Sequence, residues 1–326
     1  MRKIDKLELV LILILLAQVI INLIGALGPE LGFDALWYHL TLPKIYLSEG
    51  KIFFIPGGLL YYSTMPKLIE MLYIPALALG GEVIAKLIHF SFGIATLYVL
   101  YKLSRMFLAK SLSLLALVVF YSNLVVAWQS TTAYIDLGRT FFEILALFFL
   151  VSYFKGKKDS ALTKSAVSLG LAISSKLLAF GSLFVFIAIL FLQKVNAAKI
   201  FRLILISILI PSPWYIFSYI NTGNPVYPFF SGIYEVSPSV NISNILNFIR
   251  SPDPISPIYL ITLPLVLLTY KKFDKLLKII AIYSFLSFLT WLVTPPTGGG
   301  RFIMPYLPAF SILAVSAINY SKNAFI

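Results

Sequence analysis

Long apolar runs, separated by short polar or basic segments, recur along the whole 326-residue chain. The first run, Leu7 to Leu27, has the roughly 20 residues that a helix needs to cross the hydrocarbon core of a bilayer. It is too long for the apolar core of a signal peptide, and no small-residue cleavage site follows it, so we expect it to remain as a span. The same pattern predicts about ten spans: 7–27, 83–103, 112–128, one ending at Lys155, two within 164–194 that turn near Ser174-Ser175-Lys176, 200–220 broken by Pro211 and Pro213, 257–270, 277–293 and 302–320.

The stretch from Gly32 to Gly50 departs from this pattern, because it is too polar to cross a bilayer and too rich in aromatic residues for a solvated loop. As a helix it has an apolar face and a neighbouring polar stripe, made respectively of Phe33, Leu36, Trp37 and Leu40 and of Asp34, Tyr38 and Thr41. This arrangement predicts a helix on the membrane surface that presents the Asp34 carboxylate to a cavity. The alternative is a simple anchor helix with Asp34 as its N-cap.

Composition supports an all-α, polytopic membrane protein. The chain is 60% hydrophobic and 12% charged, with a mean hydropathy of +0.92, whereas a soluble domain carries about 25% charged residues. The absence of cysteine excludes disulfides, thiolate metal sites and cysteine nucleophiles. We expect one integral membrane domain over residues 1–326, without a soluble C-terminal domain.

Charge fixes the predicted topology in the cell membrane. The net charge of +13 resides mostly in short loops between apolar runs, which is the positive-inside pattern and argues against nucleic acid as a partner. Arg2, Lys3 and Lys6 predict a cytoplasmic N-terminus, and ten spans return the C-terminus to the same side. Residues 28–81, with a second surface helix at 66–80, and residues 221–256 are then extracytoplasmic loops. Eight of the 26 Lys and Arg oppose the rule and become candidates for binding an anionic ligand: Lys44, Lys51, Lys67, Lys86, Arg139, Lys176, Arg250 and Arg301.

Ionisable residues within membrane spans are costly and are usually functional. Asp136, Arg139, Thr140 and Glu143 form one helical stripe at the outer end of the fourth span. An intrahelical Arg139–Glu143 ion pair is the alternative explanation for part of this stripe. Asp136 has no such partner in the stripe and faces the same compartment as Asp34. Two carboxylates there are able to hold a divalent cation, or one can act as a base while the other orients an acceptor hydroxyl.

Two basic residues stand out in the later part of the chain. Lys176 lies at the tip of a predicted membrane hairpin, and Arg301 opens the last span after three glycines. The Gly298–Arg301 segment predicts an anion cradle of free backbone N–H groups and a cation, with a flexible turn and a snorkelling arginine as the alternative. Of the two histidines, His39 is expected to be a hydrogen-bonded spacer and His89 a helix–helix hydrogen bonder.

An ordered set of short motifs resembles the GT-C superfamily of membrane glycosyltransferases, in the group near protein O-mannosyltransferases and aminoarabinose transferases. The motifs extend over most of the chain: Asp34-Ala-Leu-Trp-Tyr-His-Leu-x-Leu-Pro-Lys44, Pro66-x3-Glu-Met-Leu-Tyr73, Ala133-Tyr-Ile-Asp-Leu137, Ser175-Lys176, Asn224-Pro-x-Tyr-Pro228 and Arg301-Phe-x-Met-Pro305. In that superfamily a large first outer loop holds two surface helices, and an acidic residue just after the first span is the catalytic base. This chain departs from many relatives in having Ala35 after the acid; Glu30 is the nearest other carboxylate.

The resemblance implies roles for individual residues. Asp34 matches the base, and Asp136 resembles the second acidic position. The implied donor is a polyprenyl-phosphate sugar whose phosphate is held by basic residues, here predicted as Lys176, Arg301 and Lys44. We predict that the substrate contacts a further set of residues: Tyr38, His39, Glu70 and Tyr134.

The sequence therefore predicts an inverting transfer of a sugar to a hydroxyl of a lipid, glycan or protein acceptor, on the extracytoplasmic side. A Mg²⁺ or Mn²⁺ ion bridging Asp34 and Asp136 is a further expectation. Two alternatives remain open. A transporter or flippase of a lipid-linked sugar would show an inverted repeat with broken helices, which the sequence lacks. A non-catalytic, lipid-binding subunit would bind the donor phosphate without needing Asp34.

Overall fold

The computed structural model describes residues 5–57, 59–233, 255–294 and 296–322, which form helices and connecting loops. Arg2, Lys3 and most of the predicted second outer loop, Arg250 included, lie outside these residues. The α-helices are α1 (Lys6–Leu27), α2 (Thr41–Glu49), α3 (Leu68–Ser104), α4 (Lys110–Tyr121), α5 (Leu124–Gln129), α6 (Asp136–Gly156), α7 (Asp159–Ser175), α8 (Phe180–Leu192), α9 (Ala197–Leu209), α10 (Ser212–Thr222), α11 (Ile258–Thr269), α12 (Lys275–Leu292) and α13 (Leu307–Lys322). A π-helical turn and short 3₁₀ turns join them: Ala35–His39 (π), Tyr61–Thr64, Leu177–Ala179, Tyr270–Lys272, Pro296–Arg301 and Met304–Tyr306.

Five of the described helices are long and apolar enough to cross a membrane, or six if the pair α9 and α10, bent by 55°, is one span. These helices make the chain a multi-pass membrane protein. Each of the ten apolar runs is helical within the described residues, but the number of ten crossings and the sidedness of the termini stay predictions.

Most helix breaks fall where the sequence placed them. The hairpin turns at Lys176, which has an extended backbone (φ −156°, ψ 130°) directly after α7, and the predicted break near Pro211 separates α9 from α10. The third predicted span contains a break that was not predicted: it is divided between α4 and α5 at Asn123. The Asn123 amide donates to the carbonyls of Val119 (2.7 Å) and Phe120 (2.9 Å), so it replaces backbone partners at the end of α4.

The segment that follows α1, predicted to be the first outer loop, is helical at both predicted places. Residues 35–49 form the π-helical turn and α2, and the Asp34 side chain makes no capping hydrogen bond, so the N-cap interpretation is wrong. The second helix is the first part of α3, which is interrupted at Gly80 and Gly81 before the predicted span. Gly81 has φ +72° and ψ −156°, a conformation that side chains larger than hydrogen disfavour. The position of these helices on a membrane surface stays a prediction.

Helix α6 lies in the middle of the bundle and carries Asp136 at its first position. In the most apolar stretch of α6, 67% of the residues are buried inside the protein. The corresponding share for α1, at the periphery, is 17%. At Gly138 the helices α3 and α6 approach so closely that a Cβ atom would stand 2.5 Å from Ile69 Cδ1. This contact holds the start of α6 beside the start of α3, which carries Glu70.

Two lysines that the sequence offered as anion ligands have other partners. Lys86 is buried, and its ammonium donates to the carbonyls of Gly25 (3.0 Å), Gly28 (2.8 Å) and Pro29 (2.9 Å), at and just beyond the end of α1. Lys86 thereby adds a charged donor at the end of α1, where few backbone donors remain, although the Gly25 carbonyl also accepts from the Gly28 N–H at 3.2 Å. Lys44 is half exposed and pairs with Glu82 at 2.5 Å.

Replacing Lys86 should therefore destabilise the fold far more than replacing Lys44. We expect Lys86→Met to cost about 2–4 kcal/mol, because three carbonyls at the end of α1 lose one charged donor. Lys44→Met should cost less than about 1 kcal/mol, as exposed pairs do. Unfolding of both variants in detergent measures the difference, and equal losses would contradict the capping role of Lys86.

Candidate active site

A cavity of about 360 Å³ opens between the loop and helices that follow α1, the turn after α7 and the 3₁₀ turn that ends at Arg301. Its walls combine charged side chains with a large share of aromatic rings. They are formed by Asp34, Trp37, Tyr38, His39, Tyr61, Tyr62, Met65, Pro66, Glu70, Ile135, Ser175, Lys176, Leu177, Leu178, Phe229, Arg301 and Phe302.

The first charged pair in the cavity joins Asp34 to Arg301. Arg301 Nη1 donates to Asp34 Oδ2 at 2.5 Å. The Arg301 side chain is only 14% exposed and the Asp34 side chain 15%. The guanidinium carbon lies 5.2 Å from the ring centroid of Tyr134 and 5.9 Å from that of Trp128. The Tyr134 hydroxyl also accepts from the backbone N–H of Asp34 at 3.0 Å. Tyr134 therefore supports both members of the pair.

The second charged pair joins Asp136 to Lys176. Lys176 Nζ donates to Asp136 Oδ1 at 2.6 Å, and Asp136 is fully buried. The other oxygen, Oδ2, has no hydrogen-bond partner within the described part of the chain. The ammonium lies 4.7 Å from the ring centroid of Phe302. Burial lowers the pKa of Lys176, and the neighbouring Asp136 charge opposes that shift.

A third polar pair, without a strong cation, forms the cavity wall nearest α3. His39 Nδ1 donates to Glu70 Oε1 at 2.7 Å. Beside it the rings of Tyr38 and Tyr62 stack with a centroid separation of 3.8 Å and an interplanar angle of 6°. Burial raises the pKa of Tyr38, with a smaller contribution from the Asp34 charge, so its phenol keeps its proton as a donor. Flat rings beside hydrogen-bonding groups suit a polar ligand that also has apolar faces.

Two buried side chains that line no part of the cavity fix the loops around it. Glu30 accepts from the N–H groups of Gly32 (2.6 Å) and Ala133 (2.6 Å), so it ties the loop before Asp34 to the loop before α6. His89 Nδ1 donates to the Thr132 carbonyl (2.8 Å), and its Nε2 accepts from the Leu137 N–H (2.9 Å). His89 was predicted to be a helix–helix hydrogen bonder, and it does join α3 to the first turn of α6; the bonds of Glu30 were not predicted.

The structure brings most of the predicted site together. Asp34, Tyr38, His39, Glu70, Lys176 and Arg301 line the cavity, with Asp136 and Tyr134 directly behind them. Lys44 is not part of the site. Arg301 ends a 3₁₀ turn and α13 begins only at Leu307, so the predicted cradle at a helix N-terminus is wrong. Several hydrophobic lining residues were not predicted from the sequence, because no charge marks them: Tyr61, Tyr62, Leu178, Phe229 and Phe302.

The remaining cations of the predicted anion-binding set lie away from the cavity. Lys67 is buried, donates to the Met65 carbonyl at 2.8 Å and faces the rings of Trp214 (5.5 Å) and Phe217 (5.2 Å). Burial lowers the pKa of Lys67 to about 8. Lys51 is exposed and lies 5.5 Å from the ring of Phe53.

Among the described residues, no group of three or more His, Asp or Glu side chains is placed so that it could hold a metal ion. Asp34 and Asp136 each contact a cationic side chain instead. A divalent cation stays a prediction from the sequence.

No protein-family model matches the sequence, and no curated protein sequence matches it. Solved structures do resemble it. ArnT from Cupriavidus metallidurans, bound to undecaprenyl phosphate, has a TM-score of 0.71 at 15% identity, covering 94% of this chain and 60% of that one. AglB oligosaccharyltransferase from Archaeoglobus fulgidus, in complex with an inhibitory peptide and a dolichol-phosphate, has a TM-score of 0.62 at 11% identity, covering 96% and 50%. The S. cerevisiae Pmt1-Pmt2 protein O-mannosyltransferase complex, bound to the sugar donor, has a TM-score of 0.50 at 17% identity, covering 78% and 38%.

All three are GT-C glycosyltransferases. This chain has the GT-C fold, as its motifs predicted. It spans 38–60% of the length of these three proteins.

The buried pair of Asp136 and Lys176 should show strong energetic coupling. Asp136→Asn leaves a buried ammonium without a counter-ion and should cost about 3–5 kcal/mol. Adding Lys176→Met should recover part of that loss, because no unpaired charge remains. Thermal unfolding of the two single variants and the double variant measures the coupling.

The exposed pair of Asp159 and Lys199, 2.7 Å apart against 2.6 Å in the site pair, is the matched control. Its equivalent cycle, Asp159→Asn with Lys199→Met, should show less than about 1 kcal/mol of coupling. Equal coupling in the two cycles would show that the site pair is not buried as described.

Proposed function

We propose that this chain is a membrane glycosyltransferase that moves a sugar from a polyprenyl-phosphate donor to an acceptor hydroxyl on the extracytoplasmic side. The observation that carries the proposal is the cavity in which two carboxylate–cation pairs, Asp34–Arg301 and Asp136–Lys176, meet stacked aromatic rings. The GT-C fold supports it, as do the undecaprenyl phosphate of ArnT and the dolichol-phosphate of AglB.

The two cations provide the phosphate site. Both project into one cavity, and an arginine can contact a phosphate through two parallel N–H groups, while a lysine adds a point charge. Without a donor each cation is neutralised by its carboxylate. The phosphate of the donor competes for the same N–H groups, so binding should move Arg301 and Lys176 away from Asp34 and Asp136.

That exchange prepares the base. While Arg301 Nη1 donates to Asp34 Oδ2, that carboxylate oxygen is occupied and is not available to an acceptor hydroxyl. Once Arg301 turns to the phosphate, Asp34 is free to accept the proton of an acceptor hydroxyl. Donor binding therefore activates the base, and the base stays inactive while the site holds no donor.

The reaction is a single displacement. Asp34 takes the acceptor proton, the acceptor oxygen attacks the anomeric carbon, and the bond from that carbon to the phosphate oxygen breaks on the opposite face. The electron pair of the broken bond stays on the polyprenyl phosphate, whose growing charge Arg301 and Lys176 stabilise by a few kcal/mol per contact. The sugar is inverted. The Tyr38–Tyr62 stack and the His39–Glu70 pair contact the sugar during the transfer.

Asp34→Asn should abolish turnover while leaving donor-phosphate binding in place. We expect the rate of sugar transfer to fall at least about a hundredfold, which is the usual loss on removing a general base. The measurement uses purified protein in liposomes with a panel of labelled polyprenyl-phosphate sugars. It follows the release of polyprenyl phosphate, with and without divalent cations.

Asp159→Asn, which removes an exposed, ion-paired aspartate elsewhere, is the control and should keep the wild-type rate. Full activity of Asp34→Asn would eliminate the base assignment. Donor binding without turnover in the wild-type protein would overturn the enzymatic proposal in favour of transport or a lipid-binding subunit.

A further inference from the structure

A second group of buried polar side chains lies one turn further along α6 from Asp136. Arg139 is fully buried there, and its Nη2 donates to the hydroxyl of Tyr306 at 3.0 Å. The guanidinium carbon lies 5.6 Å from the centroid of the same ring. The remaining donors, Nε and Nη1, have no hydrogen-bond partner within the described residues.

The intrahelical Arg139–Glu143 ion pair suggested by the sequence is not formed. Among the described residues Arg139 has no carboxylate within ion-pair distance, and Glu143 Oε1 instead accepts from the Tyr283 hydroxyl at 2.9 Å. A buried guanidinium without a carboxylate in contact is costly, even though the charges of Arg139 and Glu143 still interact at longer range, and such groups within membrane spans usually serve function. Arg139 does not line the cavity, so any contribution to the site must pass through other residues.

The Tyr306 hydroxyl connects the segments that carry the site charges. Besides accepting from Arg139, it lies 3.2 Å from Ser182 Oγ. Along the chain, Tyr306 follows Arg301 by five residues, Ser182 follows Lys176 by six, and Arg139 follows Asp136 by three. One hydroxyl group therefore joins α6, α8 and the 3₁₀ turn Met304–Tyr306, each close in sequence to one charged residue of the site.

We propose that Arg139 and Tyr306 are positioning residues that hold Arg301 and Lys176 at the spacing at which both can contact one phosphate group. The fully buried ring of Tyr306, pinned between Arg139 and Ser182, fixes the end of the segment on which Arg301 sits. The expected effect of this positioning on polyprenyl-phosphate binding rests on the proposed function. Its expected effect on the strength of the Asp34–Arg301 ion pair does not.

The chain offers a closely matched control for this role. Tyr306 and Tyr283 are both fully buried, and each has its hydroxyl bonded to a charged side chain of α6. Only Tyr306 belongs to a segment that carries a site residue. Tyr306→Phe and Tyr283→Phe each remove one buried hydroxyl, so they should lower the melting temperature by similar amounts.

Binding of polyprenyl phosphate separates the two variants. We expect Tyr306→Phe to weaken binding about tenfold or more, the scale of one lost hydrogen bond to a charged group, and Tyr283→Phe to change it less than about twofold. The two variants should have similar melting temperatures, so a purely structural role of Tyr306 would not produce this difference in affinity. Equal losses of affinity in the two variants would overturn the inference.

If the wild-type protein binds no polyprenyl phosphate, that result contradicts only the proposed function. The positioning inference can then be tested by a measurement without ligand. The loss of melting temperature on Asp34→Asn reports the strength of the Asp34–Arg301 pair. That loss should shrink in the Tyr306→Phe background and persist in the Tyr283→Phe background; an unchanged loss in both would refute the positioning role. Should Tyr306→Phe not fold, Arg139→Lys replaces it, since lysine keeps the charge but lacks the planar fork.

Discussion

The candidate site depends on pairing two carboxylates with two cations where little water reaches them. Charges in such surroundings interact strongly and are costly when single, so Asp34 and Asp136 fix the positions of Arg301 and Lys176 as much as the helices do. Because both cations also line one cavity, the arrangement that stabilises the site without ligand is also suited to receive an anion. Stability and ligand binding thus draw on the same four side chains.

The rest of the molecule brings these four side chains together from distant parts of the chain. The partners Asp34 and Arg301 are 267 residues apart, and Asp136 and Lys176 are 40 apart. Glu30 and His89 fix the two loops that precede the carboxylates. The close approach of α3 and α6 at Gly138 positions the cavity wall that carries Glu70. The rings of Tyr134 and Phe302 contact Arg301 and Lys176 respectively, and by our inference Tyr306 fixes the segments that carry both cations.

The sequence predicted much of this arrangement because charges are conspicuous in apolar surroundings. Asp34, Lys176 and Arg301 were recognisable from their positions at the ends of apolar runs, and hydropathy located every helix of the bundle among the described residues. Partners were harder to predict. Lys44 shares a motif with Asp34, yet α2 directs it to Glu82; Arg139 contacts Tyr306, 167 residues away, rather than the neighbouring Glu143. Such choices depend on packing between distant segments, which helical periodicity does not encode.

The central claim is that a donor phosphate takes both cations from their carboxylates and so frees Asp34. A structure of the protein in lipid with bound polyprenyl phosphate tests it most directly. We predict that Arg301 and Lys176 contact the phosphate oxygens and that the Asp34–Arg301 contact, 2.5 Å without ligand, is broken. A phosphate bound elsewhere, with both ion pairs intact, would contradict the account.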